Sequence, residues 1–423
     1  LQQECHSLSR RLLLEQLPRD VADAHLAGDI HISNAGSWGL IPDTIFVDLL
    51  SVKASGFNPK GKLLYAPMLE TPQNLEEAAT IMTNITSFIM KEASVELVYR
   101  NFLQYLAAFT RSRTKHETRQ VMMRFFEVVS TLLPSWEKPT VTLELNPSLR
   151  DEAGKDLVQK TLEATLEAYS AFVEQTPRPE IKLLLGKPSR ADETGILKDV
   201  ASILHSGGKV AFFTNDQRRS FLGISSDVLP HELQGDNVSA LHNLTLNLPR
   251  LAYDSNEDET YFRAKLAMLI GVGANALTTR RRVLERMMKK GLLPTLSYGS
   301  ETVTSEAMPL VVSLAGLEES LASLIRDPST GSRTALAEKI VQTAAQVAVE
   351  KSSKNEHLGI AIIDEGGASR LAALDAEKYG RATVPGVQGS GYSQSPVLSA
   401  SDLQNQEKVD YINRLSSGLK GGM

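Results

Sequence analysis

Hydrophobic and polar positions follow two different periods along this chain. Short runs of four to six alternating or mostly apolar residues are typical of strands, whereas apolar residues at every third or fourth position indicate amphipathic helices. The predicted strands are 29–32, 140–145, 181–185, 209–214, 243–248, 309–314 and 359–364. The predicted helices are 19–27, 72–111, 115–133, 151–175, 199–205, 257–290, 318–326 and 333–351.

The order of these elements predicts the fold class. Strands that alternate with helices indicate an α/β fold built on a largely parallel sheet or barrel. The run 359–364 is mostly apolar, which is typical of a strand buried on both faces. Because no internal repeat and no interdomain linker is evident, we expect a single core across 1–423.

The composition excludes several classes of protein. With 42% hydrophobic and 22% charged residues among 423, the chain is an ordinary globular protein, not a disordered, collagenous or disulfide-rich one. The net charge of -5 gives no global reason to expect nucleic acid or an anionic membrane as partner. No apolar run reaches the length of about 18 residues that would predict a membrane span.

The single cysteine, Cys5, limits the chemistry that this chain can perform. One thiol cannot form an internal disulfide, a Cys-x-x-Cys zinc site or a catalytic pair of thiols. His25 and His31 lie close together, but their spacing is not that of a zinc motif, so we predict no metal. The first residues lack an initiator Met and a signal-peptide pattern, so we expect a cytoplasmic fragment without its upstream segment.

The segment 363–370 is the best candidate for a ligand site, because a buried strand ends there and a helix follows. Gly366 and Gly367 would let the backbone approach a phosphate, and the free amides of the helix would point at it. Ser369 and Arg370 could donate further hydrogen bonds. A tight strand-to-helix turn capped by Ser369 is the alternative interpretation, and both stay open.

Two further polar segments are candidates. Asn247 and Arg250 follow a predicted strand, at the end where barrels and open α/β sheets bind ligands; a structural corner is the alternative. The end of the long helix carries six basic residues, for which a solvated helix end is the default and a nucleotide or RNA contact the alternative. They are Arg280, Arg281, Arg282, Arg286, Lys289 and Lys290.

Seven segments occur in the order seen in the anaerobic (class III) ribonucleoside-triphosphate reductases, and this resemblance covers nearly the whole chain. Its most specific parts are Gly-Asp-Ile-His-Ile, within 24–32, and Asn-Leu-Pro-Arg, within 245–250. The other segments are 219–222, 290–294, 365–375, 392–395 and 421–422. The resemblance implies a glycyl-radical-enzyme fold, a ten-stranded α/β barrel of two halves with a central finger loop. It also implies a homodimer that binds nucleoside triphosphates.

The sequence departs from this family where the family's chemistry needs a thiyl radical. The finger-loop sequence Cys-Arg-Ser-Phe-Leu of the family resembles 218–222, but Arg218 stands in place of the cysteine. A guanidinium has no weak S–H bond, and its pKa above about 12 leaves it permanently charged. The partner cysteine expected near 45–48 is absent, and Ser33 and Asn34 replace the family's His-Asp. We expect the C-terminal radical and zinc domain to be missing from this fragment.

The sequence therefore predicts a catalytically divergent relative that keeps a phosphate- or nucleotide-binding barrel cavity but has no catalytic residues for ribonucleotide reduction. We expect no cofactor, with a nucleoside triphosphate as the candidate ligand. The predicted ligand-binding residues are Arg218, Asn247, Arg250, Glu365, Gly366, Gly367, Ala368, Ser369 and Arg370. Two alternatives stay open. One is an interaction protein that docks on a protein or nucleoprotein partner, for example through 280–290, and the other is an active reductase complemented by another chain.

Overall fold

The computed structural model describes nine strands and thirteen helices. The described residues are 7–8, 11, 15, 17–33, 41–57, 69–132, 140–147, 154–176, 179–186, 193–213, 238–293, 295–296, 308, 310–325, 330–352, 358–362, 367–385, 391–393 and 403–419. The strands are β1 (Ile30–His31), β2 (Thr44–Asp48), β3 (Glu96–Arg100), β4 (Thr140–Leu145), β5 (Ile181–Gly186), β6 (Lys209–Phe213), β7 (Val238–Asn247), β8 (Leu310–Ala315) and β9 (Leu358–Ala361).

The helices connect these strands. They are α1 (Arg19–Ala27), α2 (Leu49–Ser55), α3 (Leu75–Ile89), α4 (Phe102–Ala107), α5 (Lys115–Leu132), α6 (Lys155–Gln175), α7 (Glu193–His205), α8 (Leu248–Ser255), α9 (Glu259–Lys289), α10 (Leu317–Leu324), α11 (Thr330–Lys351), α12 (Gly367–Tyr379) and α13 (Asn405–Gly418). No helix in the described part of the chain is both long enough and apolar enough to cross a membrane.

The strands form one mixed sheet in the order β6-β5-β4-β3-β2-β7-β8-β9, with β1 paired to β7. Strands β2 to β6 run parallel to one another, and so do β7 to β9. Strand β7 is antiparallel to β2 and joins the two parallel halves. Its first residues, 238–241, pair with β2, whereas 242–247 pair with β8.

The two faces of this sheet differ in chemistry. One face is apolar, with residues such as Leu97 and Leu244, and packs against helices in two hydrophobic clusters, one for each half. The other face carries many of the polar residues, because successive side chains of a strand point to opposite sides. On β7 these are Asn243, Thr245 and Asn247, which are all buried. A buried polar sheet face is an interior surface, of the kind that can line a binding cavity.

The predicted α/β class with parallel strands is confirmed. The described strands form an open path from β6 to β9, and no pairing within the described residues closes it. The ten-stranded barrel with a central finger loop stays a prediction, because 214–237 lies outside the described residues.

The prediction of one helix over 72–111 is wrong. The chain forms α3, then strand β3, then the short helix α4, and β2 was not predicted at all. Residues 96–100 lie between two parallel neighbours, with Leu97 and Tyr99 on the helix-covered face and Val98 on the other, so all three are buried. Helical spacing on both sides of this strand hides it, because short apolar runs fit both periods.

The interpretation of 280–290 as a solvated basic helix end is wrong for two of its six residues. Arg280 is 0% exposed and Arg281 is buried beside it, whereas the other four are wholly or largely exposed. The Arg280 guanidinium pairs with the Asp43 carboxylate, with 2.7 Å between Nη2 and Oδ1. Asp43 also accepts hydrogen bonds from the Asn243 backbone at 2.8 Å and the Ser94 hydroxyl at 3.0 Å. This ion pair holds α9 and β7 to the residue that precedes β2.

We expect the substitution Asp43→Asn to destabilise the fold by about 3–5 kcal/mol, because it removes the carboxylate that pairs with the buried Arg280 cation. The measurement is the free energy of unfolding in urea. Arg282→Gln, which removes an exposed cation from the same helix, is the matched control and should change stability by less than about 0.5 kcal/mol. Equal stabilities of the two variants would contradict this role for Asp43.

His242 gives the fold a pH dependence. Burial lowers the pKa of His242 well below its usual value, and the charges of Arg280 and Arg281 lower it further. In the unfolded chain that pKa is about 6.5, so below this pH the unfolded state binds a proton that the folded state does not. Stability is therefore lost as the pH falls below about 6.5. Between about pH 7 and about pH 5.5, we expect the free energy of unfolding of the wild type to fall by about 1 kcal/mol more than that of His242→Leu. Parallel urea profiles for the two proteins would contradict this expectation.

Candidate functional site

The carboxyl ends of β7, β8 and β9 lie side by side, because these strands are parallel neighbours. Strand β7 ends at Asn247, and α8 begins directly afterwards with Pro249 in its first turn. The Asn247 side chain caps this helix, since its Oδ1 accepts the Arg250 backbone N–H at 3.3 Å. This edge is where an α/β sheet is expected to bind a ligand.

A buried carboxylate, Asp375 on α12, connects the groups at this edge. It is 0% exposed and accepts hydrogen bonds from Asn247 Nδ2 at 2.9 Å and from Arg250 Nε at 2.5 Å. A third hydrogen bond comes from the Tyr392 hydroxyl at 2.6 Å. Burial, together with this hydrogen bond, raises the pKa of Tyr392 above its usual value. Asn247 and Arg250, which were predicted as ligand residues, thus share Asp375 as a hydrogen-bond partner inside the protein.

Segments 28–32 and 247–250, the most specific parts of the sequence pattern, meet at this network. Asn247 Nδ2 donates to the Gly28 carbonyl at 2.9 Å, and the Asn247 backbone N–H donates to the Asp29 carbonyl at 3.0 Å. Gly28 has a φ of 89°, and a Cβ there would lie 3.2 Å from both terminal nitrogens of Arg250. A glycine is therefore required where the guanidinium packs against the backbone.

The start of α12 lies at the same edge. Gly367 packs against the ring of His31 so closely that a Cβ would lie 2.6 Å from a ring carbon. Ala368 is buried and Ser369 is exposed. The side chain of Arg370 turns away from the helix axis and donates to the His25 carbonyl at 2.6 Å.

Three predicted ligand residues fall outside the described part of the chain: Arg218, Glu365 and Gly366. The structure brings Asn247 and Arg250 together with the first turn of α12, and the ligand role of all these residues stays a prediction. Residues 391–393 pack over that turn, since a Cβ at Gly391 would lie 2.5 Å from the Ser369 backbone nitrogen.

A second polar cluster, which the sequence analysis missed, lies at the carboxyl ends of β2, β3 and β4. Asn101 has a φ of 54°, and its side chain donates to Asp48 Oδ1 at 3.0 Å. Its backbone N–H donates to Glu144 Oε2 at 3.1 Å. Burial raises the pKa of Glu144, and the charge of Arg100 offsets this effect only in part. Polar residues at strand ends were the available signal, but two of these three strands were not predicted.

No group of three potential metal ligands occurs among the described residues. His25 and His31 lie 5.9 Å apart between ring centroids. The His25 Nδ1 atom accepts the Ile32 backbone N–H at 3.2 Å, so this ring nitrogen already has a structural partner.

We expect Asp375→Asn to lower the free energy of unfolding by about 3–5 kcal/mol, because an amide removes the carboxylate that is hydrogen-bonded to the buried Arg250 and leaves only the 3.9 Å contact with Asp29. Glu377→Gln removes an exposed carboxylate from the same helix and should cost less than about 0.5 kcal/mol. The measurement is urea unfolding of both variants beside the wild type. A loss for Asp375→Asn as small as that for the control would show that the three donors do not depend on this carboxylate.

Comparisons with solved structures agree with this architecture. The anaerobic ribonucleotide reductase from Thermotoga maritima with dATP bound in the specificity site has a TM-score of 0.71 and 14% identity, over 99% of this chain and 78% of that chain. The same enzyme in complex with dATP and CTP has a TM-score of 0.70 and 14% identity, over 98% and 76% of the two chains. At this identity the likeness concerns the fold.

The sequence comparisons identify the family. A comparison with curated protein sequences gives no match. The family model described as anaerobic ribonucleoside-triphosphate reductase matches residues 4–423, which is nearly the whole chain. The chain therefore belongs to the anaerobic ribonucleoside-triphosphate reductase family.

Proposed function

We propose that this protein binds a nucleotide or another phosphate-bearing ligand in a cavity lined by the polar face of its sheet, and that it does not reduce ribonucleotides by thiyl-radical chemistry. The observation that carries the proposal is Arg218, which occupies the position of the family's finger-loop cysteine in the segment 218–222. Cys5 is the single cysteine of this sequence, so no neighbouring residue supplies a substitute thiol.

The loss of this cysteine removes the hydrogen-abstracting group. A thiyl radical forms by loss of a hydrogen atom from a weak S–H bond, and a guanidinium has no such bond. It carries a permanent positive charge and donates hydrogen bonds in a fixed fork that fits a phosphate or carboxylate. Arg218 in an interior cavity would thus replace a reactive group by an anion-binding one.

Several features of the described residues support a bound ligand. The amide nitrogen of Asn243 and the hydroxyl of Thr245 are buried and have no hydrogen-bond partner among the described residues. Both side chains lie on the polar face of β7, two residues apart in the sequence. Buried polar groups in proteins nearly always have a partner, so a ligand or ordered water would complete this face. The start of α12, where the helix dipole favours an anion, lies at one end of the same face.

Nucleoside triphosphates are the first ligands to test, because structures of the Thermotoga maritima relative contain dATP and CTP. The proposal includes a ten-stranded barrel with 218–222 at its centre, and a homodimer. Arg218 would then lie within hydrogen-bonding reach of the loop 365–370.

We expect dATP or CTP to raise the melting temperature of the full chain, since a ligand at 100 times its Kd stabilises by about 2.7 kcal/mol. Arg218→Ala should weaken this binding by about tenfold or more, because it removes a charge-assisted hydrogen bond. Arg414→Ala, which removes a half-exposed cation, is the matched control and should leave the Kd unchanged. Calorimetric titration measures the three Kd values.

Two results would overturn the two halves of the proposal separately. Absence of any thermal shift with nucleoside triphosphates or inorganic phosphate at millimolar concentration would remove the binding function. Formation of deoxynucleotide by the wild-type chain would remove the non-radical function, in an anaerobic assay where an active relative serves as positive control.

A further inference from the structure

We propose that a groove beside Arg250 binds a small zwitterion, a ligand that carries a carboxylate and an ammonium group on neighbouring carbons, as a free amino acid does. The groove has a volume of about 530 Å³ and lies between the end of α1, α8, α9 and α12. Its polar lining comprises Asp29, Arg250, Asp254, Lys265, Glu377 and Lys378. It lies near the last turns of α12, whereas the phosphate site proposed above uses the first turn.

Arg250 supplies the carboxylate-binding side of this groove. Its side chain is 4% exposed, and one edge of the guanidinium is taken by Asp375 through Nε. The two terminal nitrogens lie against Gly28, and Arg250 is one of the residues that line the groove. The nearest carboxylate there is that of Asp29, and the 3.9 Å between Nη1 and Oδ1 is too long for a hydrogen bond. The two terminal nitrogens of this buried arginine thus have no carboxylate at hydrogen-bonding distance, and such a pair of N–H groups can bind a carboxylate bidentately.

Asp29 supplies the ammonium-binding side. Its side chain is 28% exposed, and burial raises the pKa of its carboxyl, which nearby cations offset only in part. Within the described part of the chain, the sole ion pair of this carboxylate is the 3.9 Å contact with Arg250. A partly desolvated carboxylate without a hydrogen-bond donor gains most from a ligand that brings one.

Asp254 in the same groove shows the contrasting case. Its carboxylate accepts hydrogen bonds from the Tyr379 hydroxyl at 2.5 Å and from Lys378 Nζ at 3.1 Å. Burial raises the pKa of Asp254, but these hydrogen bonds outweigh that effect and the pKa is lowered. Asp254 and Lys378 therefore satisfy each other, and Arg250 and Asp29 are left as the pair with open hydrogen-bonding capacity.

The balance of charge in the groove selects the ligand class. Three cationic and three anionic side chains line it. The carboxylates would therefore repel a phosphate, and Arg250 and Lys265 would repel a simple amine. A ligand with both charges matches both sides. An α-amino acid can accept from Arg250 and donate to Asp29 at once, because its two charged groups are on neighbouring carbons. Lys265 is a second cation of the groove, near enough to Asp29 and Asp254 to lower their pKa values.

Calorimetric titration of the full chain with each free proteinogenic amino acid tests this proposal, with propionate, ethylamine and inorganic phosphate as single-charge probes. We expect saturable binding of at least one amino acid, and at least about tenfold weaker binding of every single-charge probe. Asp29→Asn should weaken the amino acid by about tenfold, because the amide keeps the shape but loses the charge. Asp23→Asn, an exposed carboxylate on α1, is the matched control and should bind as the wild type does.

Three outcomes would overturn the proposal. The first is that no amino acid binds at about 10 mM, a concentration above a millimolar Kd. The others are that propionate or phosphate binds as tightly as the amino acid, or that Asp29→Asn binds the amino acid as tightly as the wild type does. If Asp29→Asn does not fold, Lys265→Gln on the surface of α9 replaces it, with the same expected direction. Titration of the same variants with dATP separates this groove from the phosphate site, because Asp29→Asn should leave nucleotide binding unchanged.

Discussion

The buried carboxylate of Asp375 is the interaction on which the carboxyl edge of β7 depends. An ionised carboxylate taken out of water is costly unless donors surround it, and here three donors from the two segments 247–250 and 391–393 converge on its two oxygens. Asn247 ends a strand, Arg250 begins a helix and Tyr392 belongs to a distant segment. Each of these side chains is oriented by its hydrogen bond to Asp375. Asp43 performs the corresponding task between the two halves of the sheet, with Arg280 as its buried partner.

Membership of a family does not by itself determine the chemistry of this protein. The chain matches its family over nearly its whole length, and its sheet keeps a buried polar face. A fold, however, supports many chemistries, and activity follows from the groups placed in it. Under the proposed function, Arg218 in place of the family's cysteine would turn a site that exchanges hydrogen atoms into a site that holds anions.

The sequence predicts what depends on local periodicity and fails where distant residues decide. Strand 243–248 and helix 257–290 are close to β7 and α9, because each has a long, regular pattern. Strand β3 is hidden by helical spacing on both sides. The burial of Arg280 depends on Asp43, 237 positions earlier in the chain, so no local pattern reveals it. Asn247 and Arg250 are found because they follow a recognised strand, whereas Asn101 and Glu144 are missed because β2 and β3 were not recognised.

The shared strand β7 makes the two halves of the sheet a single cooperative unit. Residues 238–241 pair with one half and 242–247 with the other. A slip of one residue would turn Leu244 and Leu246 to the polar side and Asn243 and Thr245 to the helices, and it would also shift the pairing of 238–241 with β2. A register error in either half would therefore shift the ten-residue strand that it shares with the other half. Neither half can therefore reach its native packing while the other remains misaligned.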